Sequence, residues 1–415
     1  MKRKILMVAF LAMVIGLAAC GKQDTSSKTK IEVFSSKSEN QLIFQDLVKE
    51  FEAENPDIDV VFTSPADAGT VLRTRLVKDD IPNVIAYGGD MTYTELANVG
   101  MLKDFSQEKI VSDLSPAYVQ MTKDLQNDQE KLYGIPYATN ASGVIYNVDL
   151  FEKYHLEIPK TWQEFIALCE FFKKEGITPI EGTFKDAWTL QSVFNPLAGI
   201  LSPEGFMRER RDGNQLFQDE WQPVFEKLAT IMTYTQKDAM GTSYADGVQA
   251  LAKGEAAMLI NGTWAIPEVM KANESANVKI FALPASDVAE DNFATSGVDV
   301  MLMIGKETPN QAASLRFITF LTEKNQAQRY SEDQFAFSAV EGVTQEDASL
   351  ADLSPLIESG KVNDFVDHLL PNGYDLGALL SEFAMNQTSK PQNLETNIKQ
   401  ILIKMDEAYD ASYVE

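Results

Sequence analysis

The chain has 415 residues, of which 45% are hydrophobic, and this is enough to build two or three domain cores or one large bilobed body. Its formal net charge of −25 argues against binding to nucleic acid and against electrostatic adhesion to anionic lipid. Two cysteines and two histidines provide no cluster for a structural zinc site, so no metal is expected.

The amino terminus has the features of an export signal. A basic cluster at residues 2–4 precedes an apolar run at residues 5–17, and small residues then lead to Cys20. The apolar run is shorter than the about 20 residues of a membrane-spanning helix, so the order predicts a signal peptide over residues 1–19. The sequence Leu-Ala-Ala-Cys resembles the lipobox of bacterial lipoproteins, which implies cleavage before Cys20 and lipidation of its thiol. A plain secretory signal is the alternative. Residues 20–30 should form a lipidated amino terminus and flexible tether.

The first folded segment alternates strands and helices. Strand patterns at residues 30–34, 58–62 and 82–90 flank helical patterns at residues 40–55 and 68–77. This alternation predicts a parallel sheet with helical crossovers, and therefore the α/β fold class.

Polar side chains follow the strands of this segment. In open α/β sheets, ligands meet the loops at the carboxyl ends of the strands. Ser35, Ser36, Asp67 and Asp90 are therefore candidate ligand-binding residues. An ordinary turn or helix-cap role is the alternative for each of them.

Residues 131–151, KLYGIPYATNASGVIYNVDLF, form the stretch around which the rest of the chain is organised. Two strand-like runs, LYGIPY and GVIYN, are joined by the small polar residues 139–142. Such a segment can carry the backbone from one lobe to another and expose side chains in the gap, so Asn140 is a further candidate. An ordinary buried strand with a turn is the alternative.

The second half of the chain continues the mixture of helices and strands. Helices are predicted over residues 149–153, 190–201, 221–235, 310–321 and 396–409, and a strand over residues 278–284. A helix beginning near Trp162 has Thr161 and Glu164 in the spacing of a capping box, so Trp162 is expected to be structural. Cys169, in the same helix, is expected to be a small core residue. The charged stretch at residues 202–214 is predicted as a surface loop.

Several motifs of this chain belong together: PADAGTVLRTR, TNASGVIYN, AWTL and INGTWAI, with Asp299 ending Ser-Gly-Val-Asp. They resemble motifs of the family 1 extracellular solute-binding lipoproteins of bacterial ABC sugar importers, in particular the raffinose and multiple-sugar binding proteins of Gram-positive bacteria. The resemblance covers essentially the whole chain. The family's tryptophan-rich carboxyl-terminal loop is not matched, because this chain has Leu-Leu-Pro-Asn-Gly-Tyr there.

The resemblance implies a two-lobed α/β fold, similar to periplasmic binding proteins, with discontinuous lobes. Lobe one would comprise residues 31–139 and 279–330, and lobe two residues 140–278 and 331–415. A hinge near Asn140, Pro284 and Phe335 would close the lobes on the ligand.

A sugar site needs flat apolar platforms and hydrogen-bonding side chains, because sugars present both C–H faces and hydroxyls. Trp188 and Trp264 are predicted platforms, since both lie at element ends beside small polar residues; a structural role in the core is the alternative for each. The remaining predicted contacts are Asp186, Asn261 and Asp299 for the hydroxyls and Tyr374 as a further stacking ring.

The function that the resemblance implies is binding, not catalysis. A monomeric protein, held by its lipid at the extracellular face of the cell membrane, would capture an oligosaccharide and deliver it to the transmembrane subunits of an ABC permease. No cofactor is expected, and no serine-hydrolase, zinc-protease or phosphate-loop motif occurs in the sequence. Two alternatives stay open. The same scaffold could bind a non-sugar solute, and 61 acidic residues could include the paired carboxylates of a secreted glycosidase.

Overall fold

A computed structural model of the protein describes residues 28–65 and 67–412. The predicted signal peptide, the predicted lipidation site Cys20 and residues 20–27 of the predicted tether lie outside the described residues. The account of the fold therefore begins with the first strand of the sheet.

The described residues form ten strands and seventeen α-helices. The strands are β1 (Thr29–Ser35), β2 (Ile58–Thr63), β3 (Val84–Tyr87), β4 (Ile135–Asn147), β5 (Thr178–Ile180), β6 (Ala256–Gly262), β7 (Val278–Phe281), β8 (Ala294–Ile304), β9 (Phe337–Ser338) and β10 (Val362–Asn363). The helices are α1 (Gln41–Glu54), α2 (Ala68–Leu76), α3 (Met91–Asn98), α4 (Pro116–Asp124), α5 (Val148–Tyr154), α6 (Trp162–Lys174), α7 (Trp188–Leu201), α8 (Phe206–Arg211), α9 (Phe217–Glu220), α10 (Gln222–Met232), α11 (Tyr244–Ala252), α12 (Ala265–Ala272), α13 (Gln311–Leu321), α14 (Lys324–Gln334), α15 (Ser354–Glu358), α16 (Leu376–Ser389) and α17 (Leu394–Ser412).

The ten strands form one mixed sheet. Seven of them follow the order β2-β1-β3-β8-β4-β6-β5. β1 pairs in parallel with β2 and β3 at one end, and β5 pairs in parallel with β6 at the other. The long strands β4 and β8 pair antiparallel with each other and join the two parallel halves. β7 and β9 also pair with β4, and β10 pairs with β8. Strands that alternate with helices in this way confirm the predicted α/β class.

The first segment folds as its hydrophobic periodicity predicts. β1, α1, β2, α2 and β3 occur in the predicted order, and their bounds fall within the predicted ranges or one residue outside them. The side chains of α1 that face the sheet are Ile43, Phe44, Leu47, Val48 and Phe51, all buried. This spacing puts them on one stripe of the helix, so burial of that stripe holds α1 against β1 and β2.

β4 corrects the prediction of two short strands joined by a polar connection. It runs without interruption over 13 residues. Thr139 and Ser142, which we predicted as part of the connection, are buried and pair with β8. Gly143 lies where a Cβ atom would come within 2.3 Å of the Phe281 carbonyl oxygen, so it allows β7 to approach β4. The small polar residues therefore mark close packing on both sides of a strand and not a turn.

Residues 202–214 correct a second prediction, because they contain the short helix α8 and not only a surface loop. Phe206 and Arg210 of this helix are each 3% exposed. Arg210 is buried because its guanidinium meets carboxylates of α17, with Nε 3.2 Å from Asp406 Oδ1 and an Nη atom 2.7 Å from Asp410 Oδ1. The sequence did not indicate these partners, which lie about 200 positions further along the chain.

Two structural predictions for α6 are confirmed. Thr161 and Glu164 form the capping box, with the Glu164 amide donating to Thr161 Oγ1 over 3.3 Å. Trp162 and Cys169 both lie in the hydrophobic cluster beneath α6. Burial raises the pKa of the Cys169 thiol, so it behaves as a small apolar side chain.

Candidate ligand-binding site

Asp299 lies at the centre of a polar cluster on the strands that join the two halves of the sheet. One carboxylate oxygen, Oδ1, accepts hydrogen bonds from Lys37 Nζ at 2.6 Å and from Asn140 Nδ2 at 2.9 Å. The register of β4 and β8 passes from Thr139 opposite Val298 to Ala138 opposite Val300, so Asp299 is an extra residue in a β-bulge. Bulges commonly redirect a side chain beside a functional site. The structure thus brings Asn140 and Asp299, both predicted site residues, into direct contact.

Lys37 joins this cluster from the loop that follows β1. The loop is fixed by hydrogen bonds from the Lys37 amide to Ser35 Oγ and from Ser64 Oγ to the Lys37 carbonyl oxygen. Burial disfavours the charged form of the Lys37 ammonium, but the nearby carboxylates of Asp299 and Glu39 favour that form more strongly. The pKa of Lys37 is therefore raised. Sequence reasoning missed Lys37, although it selected the neighbouring serines. Of these, Ser36 is half-buried at the end of β1 and Ser35 is fully buried behind the loop.

The other two candidates from the first segment cap helices. The Asp67 carboxylate accepts the Thr70 amide at the start of α2, and the Asp90 carboxylate accepts the Thr92 amide at the start of α3. Asp67 is exposed and Asp90 is half-buried. Burial raises the pKa of Asp90.

Asp90 also lies close to β8. The amide of Gly89 donates to the carbonyl oxygen of Val298 over 2.8 Å, and a Cβ atom on Gly89 would lie 2.9 Å from Val298 Cβ. Val298 directly precedes Asp299 on β8, so this contact brings the loop before α3 next to Asp299. Asp90 is therefore close to the polar cluster, and its capping role does not remove it from the candidate site.

Trp188 and Asp186 lie together at the start of α7. The Trp188 side chain is exposed, and its ring meets the Tyr244 ring edge-on with the centroids 4.9 Å apart. Asp186 accepts a hydrogen bond from the Tyr244 amide over 2.7 Å, which fixes the start of α11 beside Trp188. Tyr244 was not predicted as a site residue, and it supports the predicted platform from the side.

Trp264 follows β6 and is half-buried. Its ring lies over Gly262, because a Cβ atom on that glycine would fall 2.1 Å from the indole carbons. Asn261, just before, is fully buried, and Oδ1 accepts the Gly262 amide over 2.8 Å. Within the described residues, the Asn261 Nδ2 group has no hydrogen-bond partner. Asn261 therefore shapes the strand end behind Trp264, and the structure does not bring it to an open surface.

Tyr374 is a predicted platform whose ring is half-buried and packs against a hydrophobic cluster. Its ring lies 6.3 Å from Phe217 and 6.1 Å from Tyr409, between centroids, and it packs against the same cluster as α6. Gly373, with φ +92°, turns the chain so that the ring points toward α17. We therefore correct the expectation of a stacking role: the Tyr374 ring fills space between helices.

A separate groove of about 470 Å³ lies between α4, the end of α7 with α8, and residues 360–369. It contains none of the predicted site residues. An ion pair between Arg208 and Asp124, 3.1 Å long, connects α8 and α4 beside it. Val362 and Asn363 of β10, which pairs with β8, line the groove together with Asp364.

The described residues 28–65 and 67–412 contain neither a candidate metal site nor a candidate membrane-spanning helix. No group of three or more His, Cys, Asp and Glu side chains in this part of the chain is arranged to hold a metal ion. No helix within the same residues combines the length and the apolar composition needed to cross a membrane.

Comparison with known proteins gives one family and several relatives. Residues 35–328 match the family described as bacterial extracellular solute-binding protein. The chain is 30% identical over 345 residues to the multiple sugar-binding protein of Streptococcus mutans, with 80% of each chain covered. It is 25% identical over an alignment of 417 residues to the melibiose/raffinose/stachyose-binding protein MelE of Bacillus subtilis, with 94% of each chain covered.

Among solved structures, the apo form of RafE from Streptococcus pneumoniae superposes with a TM-score of 0.80. The two chains are 24% identical, and the match covers 92% of this chain and 100% of that one. This likeness confirms the predicted two-lobed α/β fold of solute-binding proteins.

Proposed function

Because the chain belongs to the family of bacterial extracellular solute-binding proteins, we propose that it is the substrate-binding subunit of an ABC importer for oligosaccharides. The proposed ligand is a sugar of the raffinose family or a related alpha-linked sugar, such as an isomalto-oligosaccharide. The names of two relatives, which state multiple sugars and melibiose, raffinose and stachyose, support this ligand class.

The observation that carries the proposal is the exposed ring of Trp188. Of the four tryptophans, Trp162 and Trp221 are buried in the core, Trp264 is half-buried, and Trp188 is 39% exposed. Leaving an indole in water forfeits about 2 kcal/mol of burial, so an exposed and laterally supported ring suits a ligand platform. The C–H face of a pyranose is such a ligand.

The polar cluster of Asp299, Asn140 and Lys37 supplies the other half of a sugar site. An ionised carboxylate accepts hydrogen bonds from hydroxyls, and an ammonium donates to their oxygen atoms. The Asn140 Oδ1 atom is buried without a partner among the described residues, so it is a further acceptor beside the carboxylate. A sugar hydroxyl that binds here would form the hydrogen bonds that these donors and acceptors can still make.

We further propose that Cys20 carries the lipid that holds the protein at the extracellular face of the membrane. Replacing Cys20 by alanine should release the protein into the medium or leave it as an uncleaved precursor. The measurement is phase separation of cell extracts in a detergent that forms two phases, followed by detection of the protein. Wild-type protein that partitions into the aqueous phase would contradict lipidation.

Closure of the two proposed lobes, 31–139 with 279–330 and 140–278 with 331–415, would enclose the sugar. The closed, monomeric form would then dock on the permease and release the sugar to it. We assign ATP hydrolysis to other subunits, since this sequence has no phosphate-binding loop.

Calorimetric titration of the purified protein tests the proposed function. The panel is raffinose, stachyose, melibiose, isomaltose, isomaltotriose, sucrose and fructo-oligosaccharides, and saturable binding to at least one of them is expected. Failure of all of them would favour the alternative of a non-sugar solute on the same scaffold. Chromatography of the recovered sugar is the companion measurement, because cleaved sugar would favour the glycosidase alternative.

A further inference from the structure

His368 lies next to the polar cluster, although no motif of the sequence pointed to it. A Cβ atom on Gly297 would come within 2.7 Å of His368 Cε1 and 2.6 Å of Asp364 Oδ1, so the imidazole lies directly on this glycine of β8. Gly297 pairs with Asn140 of β4. Residues directly opposite in an antiparallel pair point to the same face of the sheet. His368 therefore covers the face on which the Asn140 amide reaches Asp299.

The orientation of the ring is set by Asp364, four residues earlier in the chain. His368 Nδ1 lies 2.9 Å from Asp364 Oδ1, and the side chains are 23% and 10% exposed. The carboxylate accepts a hydrogen bond from Nδ1–H, which directs the Nε2 edge away from Asp364. The ring is thus a fixed group and not a freely rotating surface side chain.

The charge of His368 follows from its surroundings. Burial disfavours the imidazolium, but the carboxylates of Asp364, Asp367 and Asp90 outweigh it and raise the pKa to about 9. Asp364 and Asp367 belong to the same short segment, and Asp90 comes from the loop before α3. On β8, the residue beneath the ring is Gly297, which carries no charge. At neutral pH both ring nitrogens therefore carry protons.

The Nε2–H group has no hydrogen-bond acceptor among the described residues. Within the described residues, the only hydrogen bond of the His368 ring is the one from Nδ1. The nearby Asp90 carboxylate is an acceptor that is half-buried at the start of α3. A charged donor beside an acceptor matches two neighbouring hydroxyls of a sugar ring, each of which can donate and accept.

We propose that His368 is a specificity-determining residue, which donates a hydrogen bond from Nε2 to a hydroxyl of the bound sugar while Asp90 accepts one from the neighbouring hydroxyl. Gly297 has a defined part in this arrangement, because any larger residue there would push the ring off β8. The inference rests on the proposed sugar-binding function and adds a contact that the resemblance did not supply.

Titration of variants with the tightest-binding sugar of the panel tests this contact. His368→Ala should weaken binding at least about tenfold, the usual loss for a hydrogen bond to a charged group. His368→Gln keeps a neutral donor, so most of the affinity at pH 7 should return. The matched control is His155→Asn at the end of α5, since His155 is the other histidine, is exposed, and has the left-handed backbone that asparagine tolerates.

The pH dependence distinguishes a direct contact from a structural role. Wild-type affinity should hold between pH 7 and 8 and fall above about pH 9, where Nε2 loses its proton and becomes an acceptor. The affinity of His368→Gln should stay flat over the same range. A fall of equal size in both proteins would overturn the proposal.

Histidine-selective NMR provides a reading that does not depend on any variant. The chain has two histidines, so two Cε1–H signals are expected, and His155→Asn assigns them. Saturating sugar should shift the His368 signal and leave that of His155 unchanged. An unmoved His368 signal with bound sugar would overturn this inference and leave sugar binding intact. Wild-type protein that binds no sugar would overturn both.

Discussion

Trp188 and Trp264 allow the sharpest test at the scale of single residues. If both rings are platforms, replacing either by alanine should weaken sugar binding by more than about 1 kcal/mol, the scale of a lost hot-spot aromatic. The melting temperature without ligand should change little for Trp188, which is exposed. For Trp264→Ala the melting temperature should fall slightly, because the ring lies over Gly262.

The control for this experiment is Trp221→Ala, since that ring is fully buried. It should cost about 3–5 kcal/mol of unfolding free energy and leave affinity nearly unchanged in the folded fraction. Calorimetric affinity and thermal unfolding on all three variants separate the two roles. A Trp188→Ala protein that behaves like Trp221→Ala would show that Trp188 is structural.

His368 also gives the unfolding free energy a defined pH dependence. Its pKa is about 9 in the folded protein against 6.5 when unperturbed, so the folded state binds the proton more tightly. The resulting stabilisation is complete below about pH 6.5 and is lost as the pH rises to about 9. Its size is at most about 3.5 kcal/mol, since one pKa unit corresponds to about 1.4 kcal/mol.

The measurement is denaturant unfolding of wild type and His368→Gln between pH 6 and 9.5. The difference between the two proteins removes the contributions of other titrating groups, such as Glu181, whose pKa is raised to about 7 by burial and by Glu255. The difference should shrink as the pH rises. A constant difference would mean that folding does not shift the pKa of His368.

A site residue could be predicted from the sequence when its structural partners lie close to it along the chain. Trp188 was recognisable from its position at a helix start beside Asp186, and both lie there. Lys37 was missed because its partner Asp299 is 262 positions away and meets it only through the sheet. Tyr374 was misassigned for the opposite reason: its Pro-Asn-Gly turn is visible in the sequence, but the direction of the ring depends on the helices packed around it.

At the scale of elements, strands and helices with clear periodicity were predicted to within a few residues, and the exceptions have a common cause. β4 was divided in the prediction because Thr139 and Ser142 are polar, yet both pair with β8 on one side, and on the other side Thr139 pairs with β9 and Ser142 with β6. α8 was predicted as a loop because it is rich in charge, yet Arg210 is neutralised by α17. In both cases a contact from a distant part of the chain overrides the local composition.

Arg210 provides the test at this scale. Besides its carboxylate partners on α17, its guanidinium lies 4.2 Å from the centroid of the Tyr409 ring. Arg210→Met leaves the Asp406 carboxylate without this partner, so it should lower the unfolding free energy by about 3–5 kcal/mol. Sugar affinity should not change, because α8 contributes no predicted site residue.

Arg211→Met is the matched control, since Arg211 is the adjacent, less buried arginine of α8. It should change stability by no more than about 0.5 kcal/mol. Denaturant unfolding of both variants is the measurement. Equal effects for the two arginines would argue that α8 is held by its apolar side chain Phe206 and not by the ion pairs.

At the scale of the whole molecule, the predicted lobes are joined by the pairing of β4 residues 140–142 with β8 residues 295–297 and by exposed side-chain contacts. With the predicted boundaries, the Arg208–Asp124 ion pair and the hydrogen bond from Asn372 Nδ2 to Glu95 Oε1, 2.6 Å long, connect lobe two to lobe one. Both side chains of the ion pair are more than 40% exposed, so it contributes about 1 kcal/mol at most. Breaking this ion pair during a lobe motion about the long strands β4 and β8 would therefore cost little.

Small-angle scattering tests whether ligand binding uses this motion. A compact chain of this size has a radius of gyration of about 21 Å, and a saturating sugar that draws the lobes together should reduce the measured value. Trp188→Ala at the same sugar concentration is the control, because a protein with a lower sugar occupancy should contract less. A radius that stays constant while the sugar is tightly bound would mean that the site is rigid. Sugar selection would then depend on the fixed positions of Asp299, Asn140 and Lys37 and not on closure around the ligand.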